Sequence, residues 1–425
     1  MIAQTETLQT EIGAIVEPQH VQVATPAHHI DGVQPQVVVA PGTAEQAARV
    51  LRYANDAGLR VAVRGNGSKL DWGNPPLGID LLISTHRLNQ VLEHAWGDMT
   101  ATVQAGCTVA QVQSTLAEHG QRIALDPLWP ATATIGGVVA TNDSGALRLR
   151  FGALRDLILG ITIALPDGTL AKSGGKVVKN VAGYDLPKLM TGALGTLGLI
   201  VETTFRLYPV PSATTTVSVP TPSAAVANEL LLKLLDSTLV PTGAQLHLRP
   251  TMESHVVVRF EGIQVAMETQ LDQLGRMVDE LGLQRPAEIE PTVWEQREAL
   301  FERANDGLVC KISVQPAQLS AVAAAIQRLA GPLRLDWELV MQAVGVGLLR
   351  LNASNDQALI ATLGILRPEI TQLDGSLVVL RCSPEVKQRV DVWGASGDAL
   401  PVMRRIKQQF DPRAILNPGR FVGGI

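Results

Sequence analysis

Residues 61–69 read Val61-Ala62-Val63-Arg64-Gly65-Asn66-Gly67-Ser68-Lys69, a short apolar run that enters a turn with almost no bulky side chains. Glycine tolerates a positive φ and leaves no Cβ in the way of a ligand. Consecutive backbone N–H groups in such a turn can converge on an anion. The stretch therefore favours a phosphate site at the end of a buried strand, although an ordinary tight turn has the same pattern.

The residues before this turn predict a β-α-β unit. Residues 36–40 are a predicted strand, Thr43 and Gln46 are a capping-box pair, and Gly58 suits the left-handed position that ends a helix. The same order of signals recurs over residues 100–125, with a second capping box and a second glycine stop. Two such units suggest a ligand held between them, but βαβ units also resemble one another for packing reasons alone.

A second segment of unusual composition follows the second unit. Residues 126–130 lead into residues 131–145, which carry hydroxyls and paired glycines and almost no bulk or charge. Backbone of this kind can lie flat against a large planar ligand and donate hydrogen bonds to it. A glycine- and alanine-rich segment that packs helices has the same composition, so the segment alone leaves both interpretations open.

The rest of the chain divides at changes of composition. Residues 1–34 are predicted to be a loose polar lead-in, 157–173 a hairpin and 208–223 a proline-rich linker. An α+β domain is expected beyond that linker, and residues 401–425 are predicted to be a helix with a docking tail. The helices predicted after the linker cover residues 224–236, 265–282, 293–304 and 317–330, and residues 244–260 are predicted to be rich in strand.

Bulk composition limits the class of protein. The 425 residues are 46% hydrophobic and 18% charged, which is typical of a globular chain of two or three domains. A net charge of −5 without a basic stripe argues against nucleic-acid binding. Three scattered cysteines give no disulfide framework or iron–sulfur motif. With no signal peptide and no apolar run long enough for a membrane span, we expect a cytoplasmic protein, for which a peripheral position at the inner membrane would have to come through partner subunits.

The sequence does not have the residue spacing of familiar nucleotide-binding or metal-binding motifs. Leu70 stands where a Rossmann fingerprint needs its third glycine, and Val177 follows Gly175-Lys176 where a P-loop needs Ser or Thr. The histidines have no ligand spacing, so no metal site is predicted. Lys179 and Tyr184, which lie between glycines with Lys176, are the polar residues that a cofactor or substrate could reach, although a solvated loop is an equal alternative.

Taken together, these segments resemble the FAD-binding domain of the vanillyl-alcohol oxidase/p-cresol methylhydroxylase superfamily. The resemblance rests on the 64–68 turn, on Thr134–Gly137 with Thr141, Asn142 and Gly145, and on residues 192–202. Residues 174–186 and the closing 416–419 are similar to the branch that oxidises 2-hydroxy acids, above all to the family of E subunits of bacterial glycolate oxidase (glycolate dehydrogenase) complexes.

The resemblance implies an α+β fold in which a two-subdomain FAD-binding domain spans residues 35–210 and an α+β cap spans residues 211–400. The C-terminal tail, residues 401–425, would return to the FAD domain. The turn would bind the pyrophosphate and Ile200 would lie near the adenine. No histidine occupies the first loop, so a non-covalent FAD is predicted. The implied FAD-binding residues are Arg64, Gly65, Asn66, Gly67, Ser68, Lys69, Pro127, Thr132, Thr134, Gly136, Gly137, Thr141, Asn142, Gly145 and Ile200.

One departure separates this chain from catalytic members of that superfamily. Those enzymes carry cap-domain histidines, whereas this chain has no histidine after His255. The catalytic residues are therefore unknown; Lys179, Tyr184 and arginines of the cap are the candidates. The implied partners are a homologous flavoprotein D subunit and an iron–sulfur subunit, and the implied reaction converts glycolate to glyoxylate. A self-sufficient 2-hydroxy-acid dehydrogenase and a non-catalytic scaffold remain alternatives.

Overall fold

The computed structural model describes residues 2–175, 184–250, 254–304 and 307–425. The chain forms two compact units. The first contains residues 1–144, 153–210 and 395–425, and the second contains residues 145–152 and 211–394. One boundary coincides with the predicted division between residues 210 and 211. Residues 145–152, predicted to belong to the FAD-binding domain, are part of the second unit instead.

Both units contain helices as well as strands. The α-helices are α1 (Ile2–Val16), α2 (Ala44–Ala57), α3 (Val109–Ala117), α4 (Ile135–Thr141), α5 (Arg148–Phe151), α6 (Leu154–Leu157), α7 (Leu186–Met190), α8 (Ala224–Asp236), α9 (Gln264–Glu280), α10 (Gln296–Glu302), α11 (Leu319–Leu333), α12 (Asp356–Gln372), α13 (Pro384–Lys387) and α14 (Leu400–Phe410). The strands are β1 (Val21–Val23), β2 (Val37–Val39), β3 (Val61–Arg64), β4 (Leu81–Ser84), β5 (Val91–Ala95), β6 (Thr100–Gln104), β7 (Gln121–Arg122), β8 (Ile158–Ala164), β9 (Leu170–Gly174), β10 (Leu199–Arg206), β11 (Tyr208–Pro209), β12 (Ala213–Thr221), β13 (Gly243–Leu248), β14 (Ser254–Gly262), β15 (Ala287–Glu288), β16 (Leu308–Ser313), β17 (Asp336–Gln342), β18 (Val346–Asn352) and β19 (Ser376–Arg381).

The first sheet of the first unit carries the glycine-rich turn at residues 64–69. Within the described ranges its strand order is β1-β2-β4-β3, with β2, β4 and β3 parallel and β1 antiparallel. Helix α2 connects β2 to β3, and Thr43 caps it by accepting a hydrogen bond from the N–H of Gln46. Gly58 ends the helix at a φ of 67°. The predicted β-α-β unit is therefore confirmed, with β4 inserted between its two strands.

The second sheet of the first unit is antiparallel, with strand order β5-β6-β10-β8-β9 in the described part of the chain. Strands β8 and β9 form the predicted hairpin. The C-terminal tail also belongs to this unit, because Leu416 pairs in parallel with Val61 of β3 and so extends the first sheet. Apolar side chains from α1, α2, β2, β3, β4 and the tail pack together as a hydrophobic core of this unit.

The second unit is an antiparallel sheet covered by helices on one face. Its strand order is β15-β12-β14-β13-β17-β18-β16-β19 within the described residues. Apolar residues of α8, α9, α11 and α12 pack against Val258, Leu246, Leu349 and other inward-facing strand residues. The strand-rich 244–260 segment and the helices predicted near 265–282 and 317–330 are confirmed. The helix predicted over 293–304 is present as a 3₁₀ turn, Pro291–Glu295, followed by α10.

The expected loose lead-in is wrong for residues 2–16, which form α1. Leu8, Ile12 and Val16 recur every four residues, and each is at most 5% exposed in the core of the first unit. That spacing is the signal of a buried helical stripe. The polar residues between them obscured it.

Two further expectations were wrong because strand partners lie far away in sequence. The predicted linker over 208–223 forms β11 and all of β12, which pairs with β14 along its whole length. The second βαβ unit fails at its last strand, because β7 pairs with β11 rather than joining β6. The capping residue of α3 is nevertheless as predicted, since Thr108 accepts a hydrogen bond from the N–H of Gln111.

Candidate functional site

A groove in the first unit collects most of the residues predicted to bind FAD. It is partly open to solvent. Predicted residues that line it are Arg64, Gly65, Asn66, Gly67, Ser68, Lys69, Thr134, Gly136, Gly137, Thr141 and Ile200. Predicted residues outside the lining are Pro127, Thr132, Asn142 and Gly145. Gly145 belongs to the second unit.

The floor of the groove is bare backbone because its glycines pack too closely for side chains. A Cβ added to Gly65 would lie 2.1 Å from Oγ1 of Thr134, and one added to Gly136 would lie 2.8 Å from Cβ of Ala105. Thr134 also caps α4 by accepting a hydrogen bond from the N–H of Gly137. The close approach of Gly65 to Thr134 joins the 64–69 turn to the 131–145 segment, as expected for two glycine-rich segments that share one planar ligand.

The turn is fixed by side-chain contacts away from the groove floor. Nδ2 of Asn66 donates a 3.0 Å hydrogen bond to the carbonyl of Thr132, so Thr132 positions the turn through its backbone without lining the groove. Nη1 of Arg64 donates to the carbonyl of Ala27 at 3.1 Å. Gly67 takes a φ of 81°, which permits the sharp turn that follows β3. The peptide groups of the turn are therefore held in place before any ligand binds.

Lys69 lines the groove and also forms a buried ion pair. Its ammonium lies 3.1 Å from the carboxylate of Asp143 and donates to the carbonyl of Leu128 at 3.1 Å. Asp143 in turn accepts a hydrogen bond from the N–H of Leu128 at 2.8 Å. Both charged side chains are at most 5% exposed. The pair ties the 126–130 loop, which contains Pro127, to the turn.

The C-terminal tail supplies groove residues that the sequence motifs did not indicate. Asn417 and Arg420 both line the groove. Nδ2 of Asn417 donates to the carbonyl of Leu194, while its Oδ1 is buried without a hydrogen-bond partner among the described residues. Arg420 donates to the carbonyls of Leu70 and Trp72, and burial lowers the pKa of its guanidinium. Only the resemblance of residues 416–419 pointed to this tail, because no spacing rule connects it to residue 64.

Left-handed backbone occurs at and next to this groove. Leu194, Asn417 and Asn142 have φ values of 49°, 45° and 50°. For a bulky residue such as Leu194 this conformation is rare and costs free energy. Leu194 is held there by bonds on both sides, since its N–H donates to the carbonyl of Ala140 and its carbonyl accepts from Asn417. Such residues cluster at binding sites, which supports a ligand-binding role for the groove.

The candidate catalytic residues that the structure describes do not assemble a site. Lys176 and Lys179 lie outside the described residues. The side chain of Tyr184 is 90% exposed and is not part of the groove lining. In the second unit, Glu338 binds Arg249 at 2.6 Å and Arg303 at 2.8 Å, so two of the cap arginines serve an ion-pair network. Among the described residues no cluster of His, Cys, Asp and Glu could hold a metal ion.

The described part of the chain also contains no helix that is both long and apolar enough to cross a membrane.

Comparison with known proteins identifies FAD as the cofactor. Residues 35–174 match the family "FAD binding domain", and residues 393–421 match "FAD linked oxidases, C-terminal domain". A D-2-hydroxyglutarate dehydrogenase of Xanthomonas citri pv. viticola is 28% identical, over 91% of this chain and 89% of that protein. The glycolate oxidase subunit GlcD of Bacillus subtilis is 29% identical, over 51% of this chain and 46% of that protein.

Among solved structures, p-cresol methylhydroxylase with bound substrate superimposes with a TM-score of 0.80 at 16% identity, covering 99% of this chain and 97% of that one. The predicted α+β, p-cresol methylhydroxylase-like fold is therefore confirmed. The groove suits FAD, since it offers a bare glycine floor for a planar ring and the buried, unpartnered Oδ1 of Asn417 as an acceptor for a ligand N–H or O–H. This chain is an FAD-dependent oxidoreductase: its residues 35–174 match the FAD binding domain family, and its fold is similar to that of p-cresol methylhydroxylase.

Proposed function

We propose that this chain is the FAD-binding E subunit of a glycolate oxidase complex that converts glycolate to glyoxylate. In that reaction the C2–H bond of the 2-hydroxy acid breaks, a hydride passes to FAD, and the hydroxyl proton leaves to a base. When bound, FAD is the two-electron acceptor. The electrons would then pass to an iron–sulfur subunit, and a homologous flavoprotein D subunit would complete the assembly.

The observation that carries the FAD-binding part of this proposal is the glycine-rich lining of the groove, in which Gly65 and Gly136 lie so close to Thr134 and Ala105 that neither could carry a side chain. The substrate class is supported by the relatives, whose names specify glycolate oxidase and D-2-hydroxyglutarate dehydrogenase. Both names denote oxidation of a 2-hydroxy acid. Glycolate itself, the complex and the partners are our inference from residues 174–186 and 416–419.

In this proposal the chain's own residues bind and orient the cofactor. The backbone amides of the 64–69 turn take the phosphate groups, as consecutive amides in a glycine-rich turn are suited to do. Asn417 accepts a hydrogen bond from the cofactor through Oδ1, and the Lys69–Asp143 pair holds the 126–130 loop beside it. No residue in the first loop is a histidine, so the FAD is bound without a covalent link.

The group that takes the hydroxyl proton is assigned to the partner subunit. Arg249 and Arg303, which could have gripped a carboxylate, share Glu338 instead, and the chain has no histidine beyond His255. Full turnover in this proposal therefore requires the assembled complex.

A self-sufficient 2-hydroxy-acid dehydrogenase is the second candidate. It is favoured by the D-2-hydroxyglutarate dehydrogenase, which aligns with 91% of this chain. A non-catalytic scaffold subunit is the third candidate function. It would require that the groove bind no flavin.

The visible absorption spectrum of the purified chain, taken before and after acid precipitation, tests the cofactor. A flavin band that moves into the supernatant supports non-covalent FAD, and a band that stays with the pellet would mean a covalent link. A colourless chain that FAD cannot reconstitute would leave the scaffold interpretation.

Anaerobic addition of glycolate, D-lactate or D-2-hydroxyglutarate then tests the reaction. We expect the flavin absorption band to bleach with glycolate only when the co-expressed partner subunits are present. Bleaching of the isolated chain would move the whole reaction onto this subunit, and a preference for D-2-hydroxyglutarate would replace glycolate as the substrate.

A further inference from the structure

A second, more polar cavity lies beside the FAD groove in the first unit. It has a volume of about 430 Å³, within the range of small-molecule sites. It is found where the parallel strands β2, β4 and β3 end, since Ala40, Ser84 and Arg64 all line it. Ligands of open α/β sheets bind outside the carboxyl ends of the strands. The position alone makes this cavity a candidate site.

Hydrogen-bond donors dominate its polar lining. Imidazoles come from three separate segments, namely His20 after α1, His28 before β2 and His86 after β4. Nδ1 of His28 accepts a 3.0 Å hydrogen bond from the N–H of Thr25. The neutral ring therefore carries its proton on Nε2, which makes that atom a donor. The guanidinium of Arg64, steadied by its bond to the carbonyl of Ala27, supplies further N–H groups.

One fixed positive charge, that of Arg64, lines the cavity. Its lining also contains the three histidines and no Asp or Glu. The carboxylate of Glu17 contacts the lining from outside, since it lies 3.9 Å from Nε2 of His20 and accepts from Gln19. Burial lowers the pKa of His86, and the charges of Arg87 and His20 lower it further. The imidazole of His86 is therefore neutral at pH 7 and offers an anion a hydrogen bond rather than a charge.

We propose that this cavity is a separate binding site for a phosphate ester of a small metabolite. Donors converge from three segments of the chain, which suits the several oxygens of a phosphate better than a single carboxylate. The volume leaves room for the organic part of such an ester. The site goes beyond the oxidation of a 2-hydroxy acid and does not depend on it.

The two cavities share a wall. Arg64, Gly65 and Asn66 line both the FAD groove and the polar cavity. A phosphate bound in the polar cavity places its negative charge beside the turn that takes the phosphate groups of FAD, so each ligand changes the binding free energy of the other, and by linkage the effect is reciprocal. We therefore expect the phosphate ligand to alter FAD affinity.

Isothermal titration of the FAD-saturated chain with inorganic phosphate, and then with glycerol phosphate, tests this site. We expect saturable binding that weakens about tenfold in His86→Ala, the loss that one hydrogen bond to a charged group accounts for. His86→Glu should weaken it further through like-charge repulsion. The matched control is His29→Ala, an exposed neighbour of His28 outside the lining. Thermal unfolding of each variant confirms that it is folded.

Three results would overturn the proposal. The first is no saturable binding of either phosphate, and the second is equal binding by His86→Glu and the control. The third is binding by the FAD-free chain that disappears once FAD is saturating, because the cavity would then belong to the cofactor. None of these results bears on whether the chain oxidises a 2-hydroxy acid, so the proposed function is tested separately.

Discussion

Nδ2 of Asn417 donates a 2.9 Å hydrogen bond to the carbonyl of Leu194, a residue 223 positions earlier in the chain. Both residues have a left-handed backbone. The N–H of Asn417 donates in addition to the carbonyl of Val61, at the start of β3. One tail residue thus fixes both the loop before β10 and the strand that enters the phosphate turn. It leaves a single buried oxygen, Oδ1, on the groove.

Replacing Asn417 should therefore weaken FAD binding more than it weakens the fold. We expect Asn417→Ala to raise the FAD dissociation constant at least about tenfold, since it removes an acceptor and frees Leu194. Titration of flavin fluorescence measures this constant. The exposed Asn89 supplies the matched control, Asn89→Ala, for which we expect no change. Equal FAD affinity in the two variants would remove Asn417 from the site.

Features that depend on neighbouring residues could be predicted from the sequence. Thr43 and Thr108 cap helices as expected, because the cap and its N–H partner are three residues apart. The glycine-rich turn at 64–68 ends its strand as expected, because a tight turn is encoded by the residues within it.

Features that depend on distant partners were missed. The sequence predicts a linker where strand β12 forms, because the pairing of β12 with β14 is not encoded in its own residues. Asn417 reaches the groove only because Leu416 pairs with Val61, at a separation of more than 350 residues. Nor did any spacing rule predict that Lys69 would pair with Asp143. Each of these features is determined by a contact between residues that are distant in the sequence.

The contact between Gly65 and Thr134 gives a second prediction. A Cβ at residue 65 would lie 2.1 Å from Oγ1 of Thr134, so Gly65→Ala must push the turn away from α4. We expect loss of FAD from the purified variant, read from its visible spectrum. Gly97→Ala, where nothing lies within 4 Å of the added Cβ, should keep its flavin.

A double-mutant cycle shows whether this clash is the cause. Thr134→Ala alone removes the cap of α4, at a cost of about 1 kcal/mol. In that background Gly65→Ala should cost less than it does in the native chain, because the oxygen it meets is gone. Additive effects would mean that the glycine is required for some other reason.

The buried Lys69–Asp143 pair gives a third prediction, on stability. Asp143→Asn leaves the Lys69 charge without its carboxylate at a site where neither side chain exceeds 5% exposure. We expect a loss of about 3–5 kcal/mol in the free energy of unfolding, as is typical when one partner of a buried pair is removed. Urea-induced unfolding measures it.

The double variant Lys69→Met with Asp143→Asn should recover part of that loss, because no buried charge is then left alone. As a control, Glu369→Gln breaks the exposed pair with Arg328, which should change stability by less than about 1 kcal/mol. A loss in Asp143→Asn no larger than that of Glu369→Gln would show that the buried charge is compensated elsewhere.

The carboxylate of Asp80 gives a fourth prediction, on pH. Desolvation raises its pKa, but hydrogen bonds from the side chain and N–H of Arg60 outweigh this and hold the pKa below the usual 3.8. The folded state therefore binds this proton less tightly than the unfolded state does. The resulting stabilisation is fully present above pH 3.8 and is lost as the pH falls through the lower, folded pKa.

Asp80→Asn should accordingly destabilise the chain at neutral pH, by only about 1 kcal/mol because Arg60 is half exposed to solvent screening. The difference from the native chain should shrink as urea unfolding is repeated below pH 3.8. The exposed Asp398 provides the control, since Asp398→Asn should track the native chain at every pH. A difference for Asp80→Asn that stays constant with pH would mean that the amide disturbs packing at the start of β4 rather than an ion pair.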